Sequence, residues 1–315
     1  MNIRELGEFG FINMLRKMCK KKEGILGIGD DCAIIKGEKK DFLLTTDLLA
    51  EDVHFIKSLN PPHKLGRKCM AVNISDIAAM GGVPLYALVS MGIPKNIEQD
   101  YLEGVVKGIV EEAEKFSIHI IGGDTSCFEK LMISITIVGE IEKGKAILRS
   151  GAKAGDRVYV TGCIGGSYVG LVLLKRGIDD RIVDKHLTPE PRIDIGRRLI
   201  GVATSMIDIS DGIIADALHI CEESETGMHV CIEKIPLCTE PERWGLKRVE
   251  LLTGGEDYEL LFTAPPSEDK YISSISSSVG VPITMIGEVT EKSIEFSEEG
   301  QRLDITCKGY NHFRE

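Results

Sequence analysis

The sequence predicts an α+β protein, a mixed α/β fold in two domains. Short apolar runs of strand length alternate with segments of helical periodicity through both halves of the chain. Several neighbouring strands are close enough in sequence to pair antiparallel, which argues against a purely parallel sheet. The composition changes to glycine and charge over residues 139–156, so we expect domains at 1–145 and 146–315.

The first half begins with a predicted helix over 4–20, followed by strands at 32–36 and 42–47. Pro61 and Pro62 precede a predicted helix over 64–80, and Gly81 and Gly82 then end it in the manner of a glycine C-cap. A strand at 85–91, a helix over 97–116 and strands at 119–121 and 131–138 complete this half.

The second half begins with a strand at 157–161, the turn "TGCIGG" and a helix over 167–176. A helix over 192–200, a strand at 205–209, a helix over 211–222, strands at 228–232 and 258–263 and a βαβ-like run follow. The serine-rich 273–280 is expected in a surface helix. The turn "TGCIGG" is either an anion nest before a helix or a tight βα turn.

The overall charge excludes some functions. A formal net charge of -11 argues against a nucleic-acid partner. No apolar run reaches the ~18 residues of a membrane span, and "MNIRELGEFG" lacks the apolar core of a signal peptide, so we expect a cytoplasmic protein without a membrane partner.

The nine cysteines are scattered without a C-x-x-C pair, which predicts reduced, mostly buried thiols and neither a disulfide framework nor a zinc site.

One segment has the spacing of a phosphate-binding P-loop. "GEIEKGK", residues 139–145, matches G-x-x-x-x-G-K, but Ala146 replaces the Ser/Thr that binds Mg²⁺ and two glutamates stand where phosphates would lie. We therefore interpret it as a turn between the domains.

Aspartates recur at the ends of apolar runs. Such positions are where α/β proteins place their sites, and the residues are Asp30, Asp31, Asp47, Asp124, Asp208 and Asp211. Asp76 joins them because the helix around it is apolar except for Asn73 and Asp76, and a buried carboxylate requires a partner. Taken singly, Asp47 and Asp124 could be turn residues, and Asp208 or Asp211 could cap the following helix.

Taken together, these carboxylates indicate a hard cation. Oxygen ligands without attendant His or Cys suit Mg²⁺, Mn²⁺ or Ca²⁺, and the calcium-loop pattern is absent. Mg²⁺ commonly binds one or two carboxylates and substrate phosphates. The sequence therefore predicts a nucleotide bridged by several Mg²⁺ ions. Asp31 could bind metal through water, cap the turn or orient its neighbour.

Seven motifs in order, "GIGDDCA", "TTDLLAEDVHF", "NISDIAAMGG", "IIGGDTS", "RSGAKAGD", "IDISDG" and "GGEDYELLFT", with a C-terminal "GYNHF", resemble the thiamine-monophosphate kinases of the AIR-synthase-like ATP-binding superfamily. The resemblance implies ATP-dependent phosphorylation of thiamine monophosphate to thiamine diphosphate. It also implies two AIR-synthase-like domains, with a homodimer formed through the N-terminal sheet and the site between the domains.

The resemblance also implies roles for individual residues. The implied Mg²⁺ ligands are Asp30, Thr45, Thr46, Asp47, Asp76, Asp124, Asp208 and Asp211. The implied ATP-binding residues are Gly123, Asp124, Arg149 and Ser210. The implied acceptor-binding residues are His54, Glu256, Asp257 and Tyr310. No nucleophile or general base is expected, because the acceptor phosphate has a second pKa of about 6 and is already largely deprotonated.

Two other functions stay open at this point. One is another enzyme of the superfamily, such as an AIR synthetase, a selenophosphate synthetase or a hydrogenase maturation factor. The other is a nucleotide sensor that binds Mg²⁺ and ATP without turnover.

Overall fold

The computed structural model describes residues 3–20 and 22–303. Its α-helices are α1 (Ile3–Met18), α2 (Pro62–Ala79), α3 (Gln99–Lys115), α4 (Gly166–Lys175), α5 (Val183–Leu187), α6 (Ile193–Arg198), α7 (Ile213–Ser224), α8 (Arg248–Thr253) and α9 (Asp269–Val279). Its strands are β1 (Ile25–Leu26), β2 (Ala33–Ile35), β3 (Lys40–Ala50), β4 (Val83–Ile93), β5 (His119–Cys127), β6 (Met132–Glu142), β7 (Arg157–Thr161), β8 (Ser205–Asp208), β9 (Gly227–Cys231), β10 (Leu260–Ala264), β11 (Ile283–Thr290), β12 (Ile294–Glu298) and β13 (Gln301–Leu303).

The strands form two mixed sheets. The first has the order β1-β2-β3-β6-β4-β5, and the second has the order β13-β12-β9-β11-β7-β10-β8. Within these sheets β4 pairs with β5 and β9 pairs with β12 in parallel, whereas the other pairs are antiparallel. The prediction of an α+β protein is therefore confirmed.

Helix α2 lies between the two halves and carries part of the site. It is buried along most of its length and packs on α3, on the first sheet, and on α6 and β8 of the second half. The approach to α3 requires glycine, because a Cβ at Gly66 would lie 2.0 Å from the Val105 carbonyl oxygen. Tyr159 and Phe262 of the second sheet belong to the same buried cluster as Ile74 and Ile77 of α2. The halves thus share a core, and the boundary at 145/146 stays a prediction.

One face of the first sheet is exposed and apolar. Phe42, Leu48, Tyr86 and Leu88 are between 40% and 45% exposed on it. The edge strand β5 is exposed at every residue. This face bears on the assembly proposed below.

The structure corrects the prediction for the cysteines. Cys163 and Cys238 form a disulfide across a sequence separation of 75. They meet because the turn after β7 bridges to the loop at Leu237 through Ile164. This contact between distant loops leaves no signal in cysteine spacing.

Two other predictions are answered in the described part of the chain. The segment 143–156 after β6 contains no helix, so the P-loop spacing of 139–145 is not followed by the helix that a P-loop needs. Among the described helices, none has the length and apolar character needed to cross a membrane. The cytoplasmic location stays a prediction.

Candidate active site

A cavity of about 710 Å³ lies between the two halves of the chain. It is bounded by the end of β3, by α2, and by residues that follow β8 and precede β10. Twelve residues named from the sequence line it: Asp30, Asp31, Thr45, Thr46, Asp47, His54, Asp76, Arg149, Asp208, Ser210, Asp211 and Glu256. Gly123, Asp124 and Asp257 are not among its lining residues. Tyr310 lies outside the described residues.

The polar residues of α2 connect that helix to strand β3. The Thr45 hydroxyl donates to Asp76 Oδ2, and the Asp47 N–H donates to Asn73 Oδ1 at 2.9 Å. Asn73 in turn donates to the Cys69 carbonyl at 3.1 Å. These contacts explain why an otherwise apolar helix carries Asn73 and Asp76, because each satisfies a buried partner on the neighbouring strand.

Three carboxylates, two buried and that of Asp76 partly buried, meet in the cavity. Oxygens of Asp31, Asp76 and Asp208 all lie within 4.8 Å of one another. The Ser75 hydroxyl donates to Asp208 Oδ2 at 2.6 Å, whereas Asp31 Oδ2 is buried without a hydrogen-bond partner in the part of the chain that the structure describes. An orphaned oxygen in a cluster of like charges fits a divalent cation with oxygen ligands.

Burial and repulsion between like charges raise the pKa values of the carboxyl groups in and beside this cluster. Burial raises the pKa of Asp208 to about 8, and the charge of Asp31 adds to the shift. Burial and the charge of Asp31 raise the pKa of Asp47 to about 6. Burial and the charges of Asp47 and Asp208 raise the pKa of Asp76 well above its ordinary value. A nearby cation reverses such shifts because it favours the charged form.

The turn at 29–31 presents its two aspartates differently. The Arg149 N–H donates to Asp30 Oδ1 at 2.8 Å, while Arg149 Nε donates to Asp31 Oδ1 at 3.1 Å. Asp31, whose role the sequence left open, thus joins the cluster, and Asp30 lies at its edge. Strand alternation could not have found this, because Asp31 and Cys32 are consecutive and both buried, and they precede strand β2.

A second group of ligand-type side chains lies on α7 and in the turn that precedes it. Atoms of Asp211, Asp216 and His219 lie within 4.8 Å of one another, and the Asp211 N–H donates to Asp216 Oδ2 at 3.3 Å. Sequence reasoning named Asp211 and missed the other two, although their i, i+3 spacing is a helix-face signal. Burial, with the positive charge of Arg149, lowers the pKa of His219 to about 4. Gly212 is the N-cap of α7, so neither Asp208 nor Asp211 is its N-cap residue.

Thr46 and Ser210 line the cavity without belonging to the cluster of three carboxylates. Thr46 alternates with Thr45 along β3, and its hydroxyl accepts from Thr136 at 3.0 Å and reaches Ser134. Its side chain therefore lies on the exposed face of the sheet. The Ser210 carbonyl accepts the Glu256 N–H at 2.8 Å, which holds the segment before β10 against the turn after β8.

Asp257 is engaged by the backbone at the start of α4. Its two carboxylate oxygens accept the N–H groups of Gly165 at 2.7 Å and Ser167 at 3.0 Å. Burial raises its pKa to about 7, although these hydrogen bonds oppose the shift. The possible anion nest at "TGCIGG" therefore holds a carboxylate of the protein itself.

Gly123 and Asp124 lie in the edge strand β5, far from Asp47 in the same chain. The pairing runs from Asp47 to Ile135, from Ile135 to Val89, and from Val89 to Gly123. Three strand spacings correspond to about 14 Å. Gly123 has a φ of 154°, and a Cβ there would lie 1.7 Å from the Val89 carbonyl oxygen. Asp124 therefore lies about 14 Å across the sheet from the strand that carries Asp47, and it does not line the cavity.

Comparison with known proteins places this site in a family. Residues 29–141 match the model for the AIR synthase related protein, N-terminal domain, and residues 153–298 match its C-terminal domain. The thiamine-monophosphate kinase of Aquifex aeolicus is 37% identical over 99% of this chain and 100% of its own length. That of Escherichia coli K12 is 35% identical over 98% of both chains.

Solved structures agree with the sequence comparison. A structure described as AaThiL complexed with AMPPCP and TMP has a TM-score of 0.87, with 36% identity over 99% of both chains. The hydrogenase maturation protein HypE in complex with ATP, at 18% identity over 84% of both chains and a TM-score of 0.71, shares the fold. With near-complete coverage at 35–37% identity and both domain models matched, the chain belongs to the thiamine-monophosphate kinase family.

Proposed function

We propose that the protein transfers the γ-phosphoryl group of ATP to thiamine monophosphate, forming thiamine diphosphate and ADP. The similar AaThiL structure is described with AMPPCP, an ATP analogue, and TMP. The observation that carries the proposal is the cluster of Asp31, Asp76 and Asp208, in which Asp31 Oδ2 is buried without a hydrogen-bond partner among the described residues. Such a cluster suits a kinase that holds polyphosphate through metal ions.

The proposed metal is Mg²⁺, in several ions. Asp31, Asp47, Asp76 and Asp208 would hold it at the centre of the cavity, with Asp211, in the turn before α7, as a further ligand. Bound Mg²⁺ would cancel charge on the transferred phosphoryl group and on the phosphate oxygens beside it. Asp30 and Thr45 stay proposed ligands at the edge of the cluster.

The chain's own residues would position both phosphates. Arg149 is held by Asp31 and presents its cationic group at the cavity, where it suits the triphosphate oxygens. An acceptor phosphate oxygen would attack the γ-phosphorus in line while the bond to the β,γ-bridging oxygen breaks and ADP leaves. The acceptor phosphate is largely deprotonated near neutral pH, so positioning and charge stabilisation suffice without a general base or a phosphoenzyme.

We further propose a homodimer in which Asp124 serves the site of a second copy. Three features support it. The exposed face of the first sheet is apolar, and the outer edge of β5 pairs with no other described strand. Strands β3 and β5, which carry Asp47 and Asp124, are separated by about 14 Å. A second copy on this face would bring Gly123, Asp124 and the outward-facing Thr46 into one interface.

The dimer has a direct test in mixed variants. Asp47→Asn and Asp124→Asn should each be inactive alone. After the two are unfolded together and refolded, half of the dimers are mixed and hold one intact site, so about a quarter of wild-type activity should return. A monomer by light scattering, or no recovery from a mixture shown to contain mixed dimers, would overturn this assembly.

The activity itself is tested with purified protein, ATP, Mg²⁺ and thiamine monophosphate, followed by chromatography for thiamine diphosphate. We expect stoichiometric thiamine diphosphate and ADP, loss of product in Asp47→Asn, and no change in Asp100→Asn, an exposed aspartate of α3. An absence of thiamine diphosphate, or turnover of a purine intermediate instead, would contradict the proposed function.

A further inference from the structure

A lysine without solvent contact lies behind the end of the cavity assigned to the acceptor. Lys68 of α2 is 0% exposed, and its Nζ lies 2.9 Å from Glu256 Oε1. The contact is an ion pair, and the ammonium group has no hydrogen-bond partner among the described residues. Lysine is almost never fully buried unless it is paired, so this contact accounts for its charge.

A buried histidine contacts the other oxygen of the same carboxylate. His186 of α5 is 2% exposed, and its Nδ1 lies 3.3 Å from Glu256 Oε2 and 3.0 Å from Ser167 Oγ. Burial and the charge of Lys68 lower the pKa of His186 to about 3, so the ring is neutral. The hydrogen bond of Nδ1 is with Ser167 Oγ, and a neutral ring with its proton on Nδ1 directs that N–H toward this hydroxyl and the Glu256 carboxylate.

Glu256 is held at the cavity wall by a strained backbone. Its φ is 68°, in the left-handed region, and its N–H donates to the Ser210 carbonyl. Glu256 lines the cavity with a side chain 27% exposed, whereas Lys68 lies behind it. An ionised carboxylate accepts about four hydrogen bonds, so Lys68 and His186 leave acceptor capacity for a ligand.

We propose that Lys68 and His186 are positioning residues that keep Glu256 ionised and oriented toward the cavity, where it binds the positively charged thiazolium ring of the acceptor. The inference rests on the proposed function and extends it to Lys68 and His186, for which the family resemblance implies no role. Lys68 comes from the first half of the chain, and Glu256 and His186 come from the second. The acceptor-binding end therefore forms only when the halves are packed together.

The electrostatic balance around Glu256 supports this role. Burial alone raises the pKa of a carboxyl group, but the charge of Lys68 opposes this effect, and the pKa of Glu256 lies below its ordinary value. The other titratable groups that face it are His54 and, on its own segment, Tyr258.

The test compares Lys68→Met with Lys64→Met in the full chain. Lys64 lies one turn earlier on α2 and pairs with Asp184 of α5 at the surface, 2.5 Å away. We expect Lys68→Met to raise KM for thiamine monophosphate at least tenfold, with KM for ATP within about threefold, because a protonated Glu256 no longer attracts a cation. The Lys64→Met variant should match wild type.

Two further measurements separate positioning from a structural role. The ratio of KM for thiamine monophosphate in Lys68→Met to that in wild type should fall as pH rises, since Glu256 ionises again. His186→Leu should raise the same KM, and His186→Asn should restore it, because the asparagine amide can donate in place of Nδ1.

These outcomes distinguish the inference from the proposed function. If wild type forms no thiamine diphosphate, the proposed function fails. If wild type is active while Lys68→Met and His186→Leu lower only the melting temperature, the positioning role is wrong. If Lys68→Met does not fold, the comparison of His186→Leu with His186→Asn decides: equal KM values for the acceptor would overturn the inference.

Discussion

The Ser75 hydroxyl donates a 2.6 Å hydrogen bond to Asp208 Oδ2, from α2 to β8, across 133 residues of sequence. Both residues are buried, and Asp208 shares the central cluster with Asp31 and Asp76. The cluster is therefore assembled from both halves of the chain, and its geometry depends on how α2 packs against the second sheet.

Removal of that hydroxyl should weaken metal-dependent activity. Ser75→Ala leaves Asp208 without its donor, and loss of such a supporting contact commonly costs about 10- to 100-fold in metal affinity or activity. A Mg²⁺ titration of the initial rate should show a higher half-saturating concentration. Ser273→Ala, in the exposed part of α9, is the control. An unchanged Mg²⁺ dependence would remove Ser75 from the site.

The two adjacent aspartates of the opening turn should differ in importance. Asp31→Asn removes a charge from the cluster and should lower kcat about 1,000-fold, as expected for lost electrostatic stabilisation. Asp30→Asn should cost less, because its carboxylate accepts only the Arg149 N–H in the described contacts. Steady-state kinetics at saturating Mg²⁺ compare the two variants. The reverse order would restore Asp30 as the principal ligand.

Stability without Mg²⁺ should fall as pH rises. The pKa values of Asp47 and Asp208 are raised to about 6 and about 8, so the folded protein holds protons that the unfolded chain has released above about 4. Their stabilising effect is present below pH 4 and is lost as pH rises through 6 and 8, with a slope of at most about 1.4 kcal/mol per pH unit for each group.

Urea unfolding at pH 5, 6.5 and 8 measures this slope, with EDTA in one series and Mg²⁺ with an ATP analogue in the other. Metal and nucleotide should stabilise the protein most at pH 8. A free energy of unfolding with the same pH slope in both series would mean that the cluster does not bind the metal.

Substitution of Asp257 should lower stability, whereas substitution of Glu256 should weaken binding of the acceptor. Asp257→Ala leaves the Gly165 and Ser167 N–H groups without their acceptor and should lower the free energy of unfolding by about 2 kcal/mol. Glu256→Gln should instead raise KM for thiamine monophosphate. Chemical denaturation and steady-state kinetics of both variants give the comparison. A larger KM effect in Asp257→Ala would assign the acceptor contact to Asp257.

Much of the fold could be predicted from apolar periodicity and from turn residues. The helix predicted over 64–80 is α2, and the strand predicted at 85–91 is the longer β4. The strand at 119–121 extends to Cys127 as β5, because the glycines and the aspartate of "IIGGDTSC" continue an exposed edge strand that periodicity cannot detect. The disulfide and the order of the strands depend on long-range contacts.

The candidate site was predicted in its chemistry more than in its geometry. Asp76 could be found because a polar exception on an apolar helix needs a partner. Lys68 on the same helix could not, because a lysine in sequence is ordinarily a solvated surface residue and its partner lies almost 190 residues away. The remote position of Asp124 follows only from the strand order.

The central claim is that the cluster of Asp31, Asp76 and Asp208 binds the catalytic metal. A crystal structure with Mn²⁺ and an ATP analogue, measured at the manganese absorption edge, tests it most directly. The account predicts an anomalous peak at coordinating distance, about 2.2 Å, from oxygens of these three residues and beside the nucleotide phosphates. Bound nucleotide with no anomalous peak among these carboxylates would contradict it.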